Sequence, residues 1–354
     1  MAKLRYITEP YTLKNLELRN RIVMPPMCQY VATDGMPNDW HSVHYTSRAI
    51  GGVGLIIVEM TNVAPNGRIS PRCLGLWNDE QRDKFKEIVD SVHKYGAKIG
   101  IQIAHAGRKA QDCQSVAPSA IHYGKLDFEG QNLTTPLELT EDEITKIVEQ
   151  FGQSAKRAVE AGFDMIELHA AHGYLIHQFC SPKSNQRKDK YGQDRLLFGE
   201  QVIKAVKAVI PADMPLAVRI SAQEYGDNGY DLDYGVEIAK RFAAAGADML
   251  HVSGGGDGVL NPANHPPINA GYQVPFARRV KAETSLPVIA VGMLESPEVA
   301  DHVLGSGDAD LVAVGRGLLR DPHWVLNAQY TRVGNDHAGV DFVPDSYWRG
   351  YFMR

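Results

Sequence analysis

From residue 50 onward the chain repeats one unit: a short β-branched apolar run, a glycine-marked or polar turn, then a segment with helical apolar spacing. The apolar runs are 55–60 (LIIVEM), 99–104 (IGIQIA), 165–170 (MIELHA), 216–221 (LAVRIS), 249–253 (MLHVS), 287–292 (PVIAVG) and 311–315 (LVAVG). An eighth, 21–24 (RIVM), opens the series. The intervening segments read as amphipathic helices over 79–95, 140–161, 198–209 and 232–245. Thr140 and Glu143 form a capping-box signature, and Gly162 and Gly246 stand where a left-handed residue ends a helix before the next strand.

Eight strands alternating with helices require a parallel sheet covered by helices, and eight close a barrel. The expected fold is therefore α/β, a single (β/α)8 TIM barrel forming one domain over 1–354. A doubly wound sheet is the structural alternative, but its G-x-G-x-x-G fingerprint occurs nowhere in the chain. Two pieces lie outside the repeat. Residues 1–20 carry short alternating stretches suited to a hairpin cap under the barrel. Residues 333–354 end in SYWRGYFMR, too aromatic for a free tail and expected to dock.

The balance of 37 Lys+Arg against 42 Asp+Glu, spread along the chain, is not the concentrated positive charge of a nucleic-acid binder. No stretch approaches the roughly 20 apolar residues of a membrane span. The start of the chain has no apolar run of signal-peptide length, so a cytoplasmic protein is expected. Cys28, Cys73, Cys113 and Cys180 show no metal-binding or disulfide spacing.

Barrel enzymes place their chemistry at the C-terminal ends of the strands. Here the first run leads into Pro25-Pro26-Met27-Cys28-Gln29-Tyr30, the second ends at Glu59-Met60-Thr61, and the third carries Gln102, then His105 and Lys109. The fourth runs into His169-Ala170-Ala171-His172-Gly173-Tyr174, and the fifth holds Arg219 mid-strand. Glycines close the last three: Gly254-Gly255-Gly256, Gly292, and Gly315 before Arg316. Backbone amides at Gly292 and Gly315 with the Arg316 guanidinium make a phosphate cradle, at a frequent phosphate site of this fold. His169 and His172 fit either a metal site or a pair of N–H donors polarising a conjugated carbonyl, and no H-x-H or completing ligand supports the metal. Arg219 inside a barrel needs an anionic partner: Glu59, Glu167, or a ligand that becomes anionic.

The segments PPMCQY, GIQIAHAGRKA, IELHAAHGYLIHQF, the fifth-strand arginine and VAVGRGLLRDPHW together resemble the Old Yellow Enzyme family. More narrowly, they resemble its branch with a first-strand cysteine, the YqjM/xenobiotic-reductase group of ene-reductases. The resemblance runs from Tyr11 to about Trp324. It implies non-covalent FMN and a hydride taken from NADPH or NADH, passed through flavin N5 to the C=C bond of α,β-unsaturated aldehydes, ketones, imides or nitroalkenes.

By that resemblance Pro26, Met27, Cys28 and Met60 lie along the flavin, Gln102 bonds its pyrimidine, and Arg219 faces its anionic edge. Gly292, Met293, Gly315 and Arg316 hold the phosphate. His169 and His172 bind the activating oxygen, Tyr174 donates the proton, and Cys28 tunes the flavin. Tyr30 and Lys109 line the substrate pocket, and Arg349 reaches it from a neighbouring subunit of a homodimer or homotetramer. Self-docking is the alternative for the tail. Met60 departs from the small residue that many relatives carry there. The rival functions are a barrel hydrolase or glycosidase using Glu59 and Glu167, and a flavin-binding protein without turnover.

Overall fold

The computed structural model describes residues 4–111, 113–124, 134–256, 261–333 and 343–352. Residues 1–3 of the expected cap, and 334–342 and 353–354 of the expected tail, lie outside the described residues. The strands are β1 (Tyr11–Leu13), β2 (Leu16–Leu18), β3 (Ile22–Met24), β4 (Leu55–Asn62), β5 (Lys98–Ala104), β6 (Val116–Ala117), β7 (Leu137–Glu138), β8 (Met165–Ala170), β9 (Leu216–Ser221), β10 (Met249–Ser253), β11 (Val288–Val291) and β12 (Leu311–Ala313). Strands β3, β4, β5, β8, β9, β10, β11 and β12 pair in parallel and in that order, and β12 returns to β3 to close the barrel. The eight expected runs are these eight strands.

Alternation along the strands sorts the core into two layers. Ile56, Val58, Ile101, Ile166, Leu168, Val218, Ile220 and Val252 face outward into the layer shared with the helices. Leu55, Ile57, Met165, Ala217, Met249, Ile289 and Leu311 fill the bottom of the interior. The β1–β2 hairpin completes that bottom layer, inserting Leu16 and Leu18 fully buried beneath it.

The helices that matter for the site are α1 (Asp39–Ile50), α2 (Asp79–Lys94), α3 (Glu141–Ala161), α4 (Leu175–Cys180), α5 (Lys190–Gln193), α6 (Leu197–Lys207), α7 (Leu232–Ala245), α8 (Val274–Thr284), α9 (Pro297–Gly305) and α10 (Arg316–Arg320). Thr140 and Glu143 close the capping box of α3, and Gly162 and Gly246 end α3 and α7 at φ 89° and 119°. The expected helix over 198–209 runs instead over Leu197–Lys207. Two features were not foreseen. Helix α1 follows the first rim loop, and β4 carries a bulge: Val58 pairs with Ile101 and Thr61 with Ile103, so Glu59 and Met60 together oppose Gln102.

After α11 (Trp324–Val333), the described part of the tail ends in α12 (Trp348–Phe352). It touches the barrel where the Tyr347 ring meets His323 edge-on at 5.7 Å, while Trp348 stays 50% exposed.

Candidate active site

The rim brings most of the expected residues together in two adjoining parts. A cleft of about 650 Å³, open to solvent, is lined by Pro25, Pro26, Met27, Arg219, Gly292, Met293, Gly315 and Arg316, with Tyr272, Gln273 and Glu295 added. Beside it an apolar wall packs Met60, Cys73, Ala104 and Ala106 against Cys28, Tyr30 and Tyr174. The β4 bulge is what turns Met60 to the wall; regular pleating would have given the inward position to Glu59 alone.

The cleft has the features of an anion cradle. Gly292 adopts φ 128° and Met293 φ 52°, left-handed conformations that expose successive amides. A Cβ added to Gly315 would meet only Met27 Sδ at 3.5 Å and Pro25 at 3.6 Å, so the backbone there stands open. Arg316 Nε lies 3.4 Å from Glu295 Oε1 on a side chain that is 62% exposed, able to turn toward an anion at Gly315.

Arg219 supplies a more decisive observation. Its neighbour Glu167 receives Gln102 Nε2 at 2.7 Å and faces His251 Nδ1 at 2.8 Å. Glu59 lies in another compartment, accepting Gln29 N–H and Tyr45 Oη–H. Neither carboxylate binds Arg219, whose Nε is buried with no hydrogen-bond partner among the described residues. Burial holds the guanidinium below its usual pKa, with Glu167 opposing the shift. Both internal partners expected for Arg219 are thus excluded, and the cation is left facing the cleft. The same bonds remove the glycosidase alternative, because Glu59 and Glu167 are committed to separate buried networks.

Above Arg219, the His169 ring lies 5.1 Å from His172 and 4.7 Å from Tyr174, each edge to face. His169 Nδ1 accepts Ala171 N–H at 3.2 Å, which places the ring proton on Nε2. His172 Nε2 faces Ser253 Oγ at 2.8 Å, which leaves Nδ1 as its other ring nitrogen. Desolvation, then the Arg219 charge, hold both imidazoles well below their usual pKa, so both are neutral at pH 7. Burial pushes the Tyr174 phenol well above its usual value, so it keeps its proton.

His172 sits at φ 57°, a strained position fixed from several sides. Its N–H donates to Ser221 Oγ, which in turn donates to Gly255 O. Lys109 Nζ donates to the His172 carbonyl and to Gly256 O at 2.6 Å, and it lies 5.1 Å from the Tyr174 ring centre. Below, Gly173 N–H donates to His177 Nδ1, and His177 Nε2–H reaches Glu224 at 2.9 Å.

Sequence reasoning missed Ser221, Ser253, His177, Glu224 and Gln273. Ser221 and Ser253 were readable as the inward positions two beyond Arg219 and His251; Gln273 left no signal. Arg349 is exposed and joins none of these contacts within its own chain.

The profile of the NADH:flavin oxidoreductase / NADH oxidase family matches residues 7–335. The chain is similar to the NADPH dehydrogenase of Geobacillus sp. (strain WCH70), 46% identical over 89% of this chain and 91% of that one. The NADPH dehydrogenase of Clostridium acetobutylicum is 44% identical over 98% and 99%. Among solved structures, morphinone reductase superposes with a TM-score of 0.78 at 28% identity, covering 94% of this chain and 92% of its own. Morphinone reductase in complex with tetrahydroNAD gives 0.78 at 28% identity, over 98% of each chain.

Proposed function

The chain belongs to the NADH:flavin oxidoreductase / NADH oxidase family, as an FMN-dependent oxidoreductase of the Old Yellow Enzyme type, and from that premise we propose that it is an ene-reductase. It takes hydride from NADPH or NADH and reduces the C=C bond of α,β-unsaturated aldehydes, ketones, imides or nitroalkenes. The residues fit FMN. Gly292, Met293, Gly315 and Arg316 would hold its phosphate, Pro26, Met27, Cys28 and Met60 its ring edge, and Gln102 its pyrimidine. Arg219, which neither internal carboxylate engages, would take its anionic face. Bound FMN supplies hydride transfer; the chain's own residues orient and polarise the reactants.

The observation that carries the reading is the neutral pair of ring nitrogens, His169 Nε2 and His172 Nδ1, set beside a protonated Tyr174. With the Ser253 hydroxyl proton turned to His172 Nε2, that ring presents Nδ1–H, and together with His169 Nε2–H it would hold the activating oxygen of the alkene and draw electron density toward it, without a charged acid in the pocket. Tyr174 Oη holds its proton at neutral pH and delivers it to the α-carbon. Cys28, Tyr30 and Lys109 shape the pocket around the alkene.

Removing one such donor costs about 10²–10³ in kcat. His169→Ala combined with His172→Ala should therefore lower cyclohexenone reduction by at least that factor while leaving FMN bound. A double mutant that turns over at the parent rate refutes the assignment.

We also place Arg349 at a neighbouring copy's site in a homodimer or homotetramer. Trp40 and Val43 on α1, Leu319 on α10, and Tyr347 and Trp348 in the tail are all exposed, an apolar set suited to a subunit contact. Among the described residues no helix is long and apolar enough to cross a membrane.

A further inference from the structure

Glu59 is a buried carboxylate that the proposed chemistry does not use. Its Oε2 accepts Gln29 N–H at 2.7 Å, and its Oε1 accepts Tyr45 Oη–H at 3.1 Å. The same phenol oxygen accepts Glu59 N–H at 3.1 Å, so Tyr45 of α1 clasps the bulge of β4 on both sides. His41 Nε2 stands 3.6 Å from Oε1, too far for a good hydrogen bond. Asn38 N–H donates to His41 Nδ1, and burial keeps that ring neutral, its pKa lowered to about 4. On the loop side Gln29 lies between Cys28 and Tyr30, and Tyr30 adopts φ 53°. The Gln29 side chain closes the turn by donating to Met27 O at 2.8 Å.

We propose that Glu59 is a positioning residue: through Gln29 N–H its carboxylate fixes how Cys28 and Tyr30 face the site, and its charge makes that wall responsive to pH. The inference rests on the proposed function for what the wall faces.

Two arguments favour a role for the charge beyond fastening α1 to β4. A glutamine would keep the Gln29 N–H bond through its one carbonyl oxygen and turn its amide N–H toward Tyr45 Oη, without the desolvation penalty of a carboxylate. Burial, opposed by the Gln29 and Tyr45 bonds, also raises Glu59 to about 7, where it changes charge in the working range. The titratable groups that feel it are Cys28 and Tyr30 on the rim loop, Cys73 behind the wall, and Tyr45 on α1. Arg48 of α1 is turned away, bonded to the carbonyls of Leu318 and Leu319. Ionised Glu59 therefore disfavours the Cys28 thiolate, and protonated Glu59 does not.

The test alkylates the parent, E59Q and E59L with iodoacetamide between about pH 6 and pH 9, counting modified Cys28 by mass spectrometry with buried Cys180 as reference. In the parent the Cys28 rate should flatten through neutrality. In E59Q it should keep rising, reaching roughly five-fold the parent rate by the alkaline end. E59L, which removes the acceptor, should react faster even at the acid end, where E59Q matches the parent. Coincident profiles for the parent and E59Q, complete protection of Cys28 in both included, overturn the proposal; if E59L does not fold, that comparison decides alone. The thiol readout needs no flavin, so a colourless protein with the expected profiles would refute the flavin reading and leave this one standing.

Discussion

The Arg219 guanidinium lies in a barrel interior where the carboxylate that acts on it, Glu167, is spent on Gln102 and His251. A cation left in that state destabilises the free protein and stabilises the protein that holds an anion beside it. Arg219→Leu should therefore keep or raise the melting temperature of the flavin-free protein while weakening FMN retention at least about ten-fold. Thermal melts of the flavin-free forms and fluorescence titration with FMN measure both; a large loss of stability in the flavin-free form would show that Arg219 serves the fold. The position of Arg219 within β9 was legible from the interruption of an apolar run by one charge. Its lack of a carboxylate partner among the described residues was not, because that depends on which residues Glu59 and Glu167 engage across the barrel.

At the scale of elements, the HAAHGY loop is shaped by the strands beside it rather than by its own sequence. Gly256, at φ 105°, packs so close that an added Cβ would stand 2.2 Å from His172 Cα. Gly256→Ala should displace His172 and lower kcat for alkene reduction by about ten-fold or more, with a smaller loss of stability because Gly256 is exposed. Steady-state kinetics beside a thermal melt check this, and unchanged kcat would detach the glycine run from the histidine. The glycines after β10, β11 and β12 were visible as strand-end punctuation, and the capping box of α3 as a four-residue signature. Helix α1 escaped notice for a physical reason. Its buried face is His41, His44, Tyr45, Arg48 and Ala49, polar and aromatic side chains that hide an apolar period. The bulge in β4 is equally silent, since LIIVEMTN reads as an unbroken strand.

For the whole molecule, burial of titratable groups sets the pH range of stability. His41, His44 and His105 have pKa values lowered to about 4, 3 and 4 by desolvation. The unfolded chain binds these protons more readily, so the stability they contribute is present above an unfolded pKa near 6.5 and is lost as pH falls toward 3. Glu59 acts in the opposite sense: its folded pKa is raised, so its contribution is present below about 4.5 and is lost as pH rises to about 7. Melting temperature should thus fall on the acid side, and E59Q should gain over the parent only from mildly acidic pH upward. An E59Q melt parallel to the parent at every pH would contradict the assignment.

The barrel itself was readable because eight β-branched apolar runs, the helical apolar spacing between them and the helix caps agree with one another. The hairpin plug was also readable, because Leu16 and Leu18 alternate with polar residues. Arrangement across a subunit contact is a property of two chains, which one sequence encodes only as exposed apolar side chains. The central claim is tested most directly by anaerobic mixing, followed through visible absorbance. The protein should be isolated yellow, bleach on NADPH, and regain its colour with cyclohexenone; a protein that retains no flavin, or one that bleaches and is not reoxidised by any enone, maleimide or nitroalkene offered, contradicts it.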